Sequence, residues 1–300
     1  IMNKNLFYTL IILAMIFWGA SWISTKVLTN YINAYELLFL RMSICFISMI
    51  PIVYFLKMSY KIDLKTFILI FIASIFLVLY SVLMFLGVEH GTGSFGGALV
   101  PTLIPIATYI LVSIITRKTI SLKHSFALVL GAFGVLNMLN IWNFELEEIF
   151  SKDNIYFVTI SFLWPIITII TAKTTKINTF VFTLYTYIVS SLIIYIFYID
   201  NSIFIKLADY DFKFWFNIFV ITILSTTFGT SIYFLGAIKL GTKEVSSFVF
   251  LTPISAICIG AIFLGEKVGI NTIIGMIFTM IAIYILNNLK FLKVLFKKIL

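Results

Sequence analysis

Apolar runs of about twenty residues recur ten times along this 300-residue chain, and no other feature constrains its fold as tightly. A bilayer core about 30 Å thick is crossed by about 20 residues of α-helix. By that measure the spans fall near 6–28, 34–56, 66–88, 93–116, 125–141, 154–173, 178–199, 213–236, 245–264 and 269–288. Lipid offers the backbone no hydrogen-bond partners, so a span must be a helix or part of a closed barrel. Barrel strands alternate polar and apolar residues, and these runs do not. The expected fold is therefore an all-α membrane protein of ten transmembrane helices. Composition points the same way. Charged residues make up 11% of the chain against roughly 25% in a soluble domain, too few to cover a water-facing surface. The first run, Leu6–Leu28, exceeds the apolar core of a signal peptide and lacks a small-x-small cleavage pattern, so it reads as a span.

Basic residues orient the spans. With the N-terminus inside, inner connections hold fifteen Lys and Arg, whereas the outer ones hold five: Lys26, Lys152, Lys206, Lys213 and Lys267. Ten of the twelve acidic residues fall outside, among them the cluster FELEEIF at 144–150. Both termini are expected inside. The net charge of +9 thus reflects membrane orientation and implies no nucleic-acid partner. The tail KFLKVLFKKIL (290–300) reads either as a basic amphipathic helix on the inner leaflet or as a solvated stop signal. Cys45 and Cys258 lie in apolar runs, and His90 and His124 in different loops. No metal or cofactor site is expected.

Two distant stretches parallel one another. FLGVEHGTGSFGGALVPTLIPIATYILVSIITRK (85–118) matches FLGAIKLGTKEVSSFVFLTPISAICIGAIFLGEK (234–267) in its FLG, its GT pair and a proline at similar depth, Pro105 and Pro253. More weakly, FWGASWISTK (17–26) matches LWPIITIITAK (163–173), and the offset stays close to 146 residues. Five spans fit in that period. An odd number makes the second half cross in the opposite sense, so the chain is expected to divide into inverted five-helix repeats, 1–144 and 145–300. Inverted repeats mark secondary transporters whose substrate site lies near the midplane between the halves.

Ten spans as five plus five, FWGASW in the first, an arginine in the second and GEKVGINTIIGMIFTMIAIYIL (265–286) at the end resemble the drug/metabolite transporter superfamily, EamA-type permeases. The resemblance covers nearly the whole chain. It implies a central cavity lined mainly by spans 1–4 and 6–9, with spans 5 and 10 as support. It also implies small metabolites or amphipathic compounds as cargo, export as the direction and a bacterial inner membrane as the location. The partners it implies are cargo and the lipid bilayer, for a monomer or homodimer.

Depth along a helix follows from a rise of about 1.5 Å per residue. Arg41, Trp22 and Tyr80 come out roughly 10, 9 and 12 Å from the outer ends of their spans, in one layer. Trp18 and Trp164 fall near the midplane, as do Thr168, Ser225 and Thr226. Arg41 requires a partner, because a lone charge at mid-bilayer costs at least ~2.5–3.5 kcal/mol. Glu36, five residues back, is on another face of the helix. Two readings stay open: Arg41 ties helices together or snorkels towards Glu36 or Glu89, or it meets an anionic group on cargo. The tryptophans read as cavity lining or helix packing, and each hydroxyl can instead satisfy itself on an i−4 carbonyl. Trp142 and Trp215 sit at outer span ends, where indoles anchor. Pro101, Pro105, Pro165 and Pro253 are expected to interrupt their helices and so shape the cavity or its gates. An integral membrane enzyme would need acid, base or metal groups gathered on one side, and a channel would need charged rings or polar stripes. Neither pattern is present. The aromatic layer with one cation suits amino acids, especially aromatic ones, or other small amphipathic anions.

Overall fold

The computed structural model describes residues 4–90, 93–143, 154–174, 177–200, 207–264 and 268–287. The acidic cluster at 144–150, Lys152, Lys176, Lys206, Lys267 and the basic tail at 290–300 lie outside the described residues.

Among the described residues the regular structure is entirely helical. The helices are α1 (Lys4–Leu28), α2 (Ala34–Phe55), α3 (Leu64–His90), α4 (Gly93–Thr116), α5 (Leu122–Met138), α6 (Asn154–Lys173), α7 (Thr179–Tyr198), α8 (Phe212–Lys239), α9 and α10 (Ile270–Asn287). α9 opens as Thr242–Ser247, tightens to a 3₁₀ turn at Phe248–Phe250 and continues as Leu251–Leu264. Nine of these are long and apolar enough to cross a membrane, and α5, of 17 residues, is the shorter one. The ends match the apolar runs within a few residues because polar caps stop the runs. Asn33, Ser121, Asn178 and Asp211 each accept a backbone N–H in the first turn of the following helix, satisfying donors that lipid cannot.

The two halves interlock rather than sitting side by side. α1 packs on α8 and α9, α2 on α7 and α8, α3 on α6 and α7, and α4 on α6. α5 and α10 pack on each other at the periphery, where Gly134 and Gly275 bring two backbones together. A Cβ at Gly134 would lie 2.7 Å from the Gly275 carbonyl oxygen. Small residues permit such close approach, which supplies dispersion contacts where lipid removes the hydrophobic drive.

The interruptions are not where the prolines predict. α4 runs unbroken through Pro101 and Pro105, and α6 through Pro165. Pro253 stands in the first turn of the Leu251–Leu264 segment, where a missing N–H leaves no bond unmade. Within the described spans the departures from α geometry are the 3₁₀ turn before it and a π-helical stretch, Val220–Thr230, inside α8. That stretch contains no proline. Its wider turns are held from outside by three side chains. Cys45 Sγ donates to the Thr222 carbonyl (3.4 Å), Trp18 Nε1 to that of Ser225 (3.1 Å) and Tyr187 OH to that of Thr226 (3.2 Å). π geometry inside α-helices is frequent at functional sites.

Candidate functional site

α1 brings Trp18 against the π stretch of α8, where Gly229 leaves room for the indole. A Cβ there would stand 3.0 Å from Trp18 Nε1. On its other side Trp18 meets Trp164 of α6, edge to face at 5.2 Å between centroids, and Tyr233 of α8 at 5.0 Å. Tyr80 of α3 closes on Trp164 at 5.0 Å. Trp22, one turn beyond Trp18, lies over Gly97 of α4, whose missing side chain makes the space. Helix rise alone placed these rings in adjacent layers, and the fold turns them towards one another.

Arg41 enters this cluster from α2. Its Nε donates to Thr226 Oγ1 at 2.8 Å, and that hydroxyl donates in turn to the Ile221 carbonyl at 2.6 Å. The second bond spans five residues, as the π register requires. Glu36 serves a different purpose. It completes the capping box that starts α2, accepting from the Asn33 N–H at 3.3 Å while Asn33 Oδ1 accepts from the Glu36 N–H at 2.9 Å. Among the described residues no carboxylate pairs with Arg41, and Thr226 is its hydrogen-bond partner. A guanidinium has five N–H donors. One is committed, so the two Nη groups are left to the cavity.

The cavity itself lies at the junction of the two halves and takes walls from α1, α2, α3, α4, α6, α8 and α9. Its volume is about 50 Å³. Trp18, Trp22, Arg41, Tyr80, Trp164 and Ser225 all line it. Thr226 stands behind Arg41. Of the four prolines Pro101 reaches the wall, while Pro105, Pro165 and Pro253 are not among its lining residues. Thr168 is also outside the lining. Its hydroxyl donates to the Trp164 carbonyl four residues back (2.9 Å) and approaches Tyr233 OH at 3.5 Å. Trp164 Nε1 is buried without a hydrogen-bond partner among the described residues.

Sequence reasoning missed the apolar and hydroxyl walls: Met84, Val100 and Ile104 on one side, Val249, Thr230 and Thr252 on the other. It also missed Tyr233, a second-half aromatic fully buried against the tryptophans. The FLG matched in both halves was the available signal, since Tyr233 immediately precedes the second copy and Met84 the first.

Two tight contacts flank the aromatic cluster. On α6, seven residues before Trp164, the ring of Phe157 rests on Gly87 of α3 and Gly96 of α4; a Cβ at Gly87 would lie 2.7 Å from it. On α1, seven residues before Trp18, Ile11 packs with Val245 of α9 against Gly236 of α8, where a Cβ would lie 2.7 Å from Val245 and 3.3 Å from Ile11. Seven residues of helix is about 10 Å. Gly87 and Gly236 are the glycines of the two FLG motifs.

A model of the EamA-like transporter family matches residues 5–140 and again 152–288. A solved structure described as "Crystal structure of protein" superposes with a TM-score of 0.75 at 13% sequence identity, covering 95% of this chain and 98% of that one. At that identity the likeness shows the fold. No curated protein matches the chain.

Proposed function

The chain belongs to the EamA-like transporter family, as a multi-pass membrane protein, and from that premise we propose that it is a secondary carrier moving small amphipathic metabolites by alternating access. The observation that carries the reading is the cavity between the halves, where five widely separated residues, Trp18, Trp22, Arg41, Tyr80 and Trp164, meet around unfilled space. Large rings supply apolar area for a cargo's body and Arg41 supplies one fixed positive charge. A merely structural arginine would be expected to spend its Nη groups on the protein.

The packing supports ten spans arranged as inverted repeats. Exchanging α1–α5 for α6–α10 carries the contact pattern onto itself: α1 with α9 becomes α6 with α4, α1 with α8 becomes α6 with α3, and α2 with α7 maps onto itself. Under the same exchange Phe157 on Gly87 becomes Ile11 on Gly236. In an inverted repeat these two contacts close opposite ends of the cavity, so opening one while keeping the other admits cargo from one side at a time. Both are packed in this structure. The positive-inside bias supports cytoplasmic termini, and the family resemblance supports a bacterial inner membrane and export. Amino acids or other small amphipathic compounds remain the cargo class.

The test is counterflow in proteoliposomes holding the purified protein, against liposomes without protein. Saturable, trans-stimulated uptake of at least one small amphipathic compound is expected. Uptake that is non-saturable, or equal in both preparations for every compound tried, overturns the carrier reading.

A further inference from the structure

The charge inventory of the cavity narrows its cargo further. Arg41 is the one charged residue among the described residues that line it. Its orientation is set by the bond from Nε to Thr226, and Thr226 is itself held by the Ile221 carbonyl. With Nε taken, the end-on pair of Nη groups remains, a fork that matches two oxygens of a carboxylate or sulfonate.

Nothing comparable awaits a cation. Among the described residues the wall has no carboxylate, and two carbonyls near the cargo space already accept a bond. The Ser225 carbonyl accepts from Trp18 at 3.1 Å, and the Trp18 carbonyl accepts from Ser21 at 2.8 Å. An ammonium would be left with ring faces, which compensate desolvation only in part, while sharing the cavity with a guanidinium. A second negative charge would likewise lack a partner. One anion against one arginine forms a neutral pair, and that lowers the cost of holding charge at this depth.

Resting on the carrier reading above, we propose that the cavity selects amphipathic monoanions, an aryl or branched-alkyl carboxylate or sulfonate, over the zwitterionic amino acid of the same shape. The anionic group meets the Arg41 fork and the apolar body lies among Trp18, Trp22, Tyr80 and Trp164. The amino group that distinguishes an amino acid from the corresponding acid lowers affinity here instead of raising it.

Three compounds that share a phenylethyl body test this directly: 3-phenylpropionate, phenylalanine, and phenethylamine. They are anion, zwitterion and cation. Binding to the detergent-purified full chain is read by quenching of tryptophan fluorescence and by calorimetry. The expected order is anion, then zwitterion, then cation, with the first step about tenfold in Kd, the equivalent of ~1.4 kcal/mol. Arg41→Gln should remove the advantage of the anion while far-UV dichroism shows the helices retained. The order on the unaltered protein decides the matter even where that variant does not fold. Transport is followed with 2-phenylethanesulfonate, which stays ionised and does not leak through lipid as a protonated acid does. Equal or tighter binding of phenylalanine overturns the proposal, as does a folded Arg41→Gln protein that binds the anion unchanged. Counterflow of zwitterions or cations without monoanions defeats this inference and leaves the carrier reading standing. Absence of saturable transport for every compound defeats both.

Discussion

Alanine placed at the two FLG glycines should drive the protein in opposite directions. Gly87→Ala adds a Cβ that would stand 2.7 Å from the Phe157 ring, and Gly236→Ala one that would stand 2.7 Å from Val245 Cγ2. Carbon atoms rest about 3.5–4.0 Å apart, so each contact must open by about 1 Å. Neither has slack: Phe157 is also pressed on Gly96, and Ile11 stands 3.3 Å from the same Cβ position at Gly236. Phe157, Ile11 and Val245 are all fully buried. Overpacking of this kind costs about 1–3 kcal/mol. If the contact exists only while that end is shut, the whole cost falls on the shut state and shifts the population by about 5- to 150-fold. The readout is alkylation of a cysteine on the cavity wall, Ser21→Cys in a Cys258→Ala background, by a membrane-impermeant maleimide. Gly87→Ala is expected to raise labelling from the outside and Gly236→Ala from the inside, measured in vesicles of opposite sidedness. Labelling that shifts the same way in both variants, or that stays constant while only the melting temperature falls, refutes the assignment of these contacts to opposite ends.

Thr226→Val releases Arg41 Nε and should weaken binding of 3-phenylpropionate by about threefold to tenfold, in keeping with a ~1 kcal/mol hydrogen bond, with the order of anion over zwitterion retained; calorimetry measures both. Gly275→Ala forces α10 away from α5, because its Cβ would stand 2.7 Å from Met138 Cγ and nearer still to the Gly134 carbonyl. It should lower stability by about 1–3 kcal/mol without changing ligand preference, and a fall in melting temperature alongside unchanged binding checks it. Tyr8 OH donates to Glu244 Oε1 at 2.5 Å, tying the start of α1 to the first turn of α9. Tyr8→Phe breaks a charge-assisted bond worth about 1.5–3 kcal/mol and should raise labelling of the Ser21→Cys probe from the inside only.

The clearest correction concerns the interruptions. Four prolines pointed to broken helices, yet α4 and α6 continue through theirs. Long helices tolerate proline where neighbouring helices support the freed carbonyl. The π stretch of α8 has no such marker in VITILSTTFGT. It is stabilised by donors 207, 177 and 39 residues away in sequence, from Trp18, Cys45 and Tyr187. No local pattern encodes a helix geometry whose partners come from three other spans.

What the sequence by itself determined is the set of apolar helices, their boundaries to within a few residues and the position of each polar or aromatic residue along them. Lipid forbids unpaired backbone, so a twenty-residue apolar run can only be a helix, and a fixed rise then converts residue number into height. Arg41, Trp22 and Tyr80 were thus expected in one layer, with Trp18 and Trp164 near the midplane beside it. Which way each faced was not. In water an amphipathic stripe reveals the inward side of a helix, but a lipid-facing surface is as apolar as a protein-facing one, and these spans have no stripe to read. Only the tertiary packing decided that Arg41 turns to Thr226 rather than to Glu36, that Thr168 turns away from the cavity, and that Tyr233 joins the tryptophans around it.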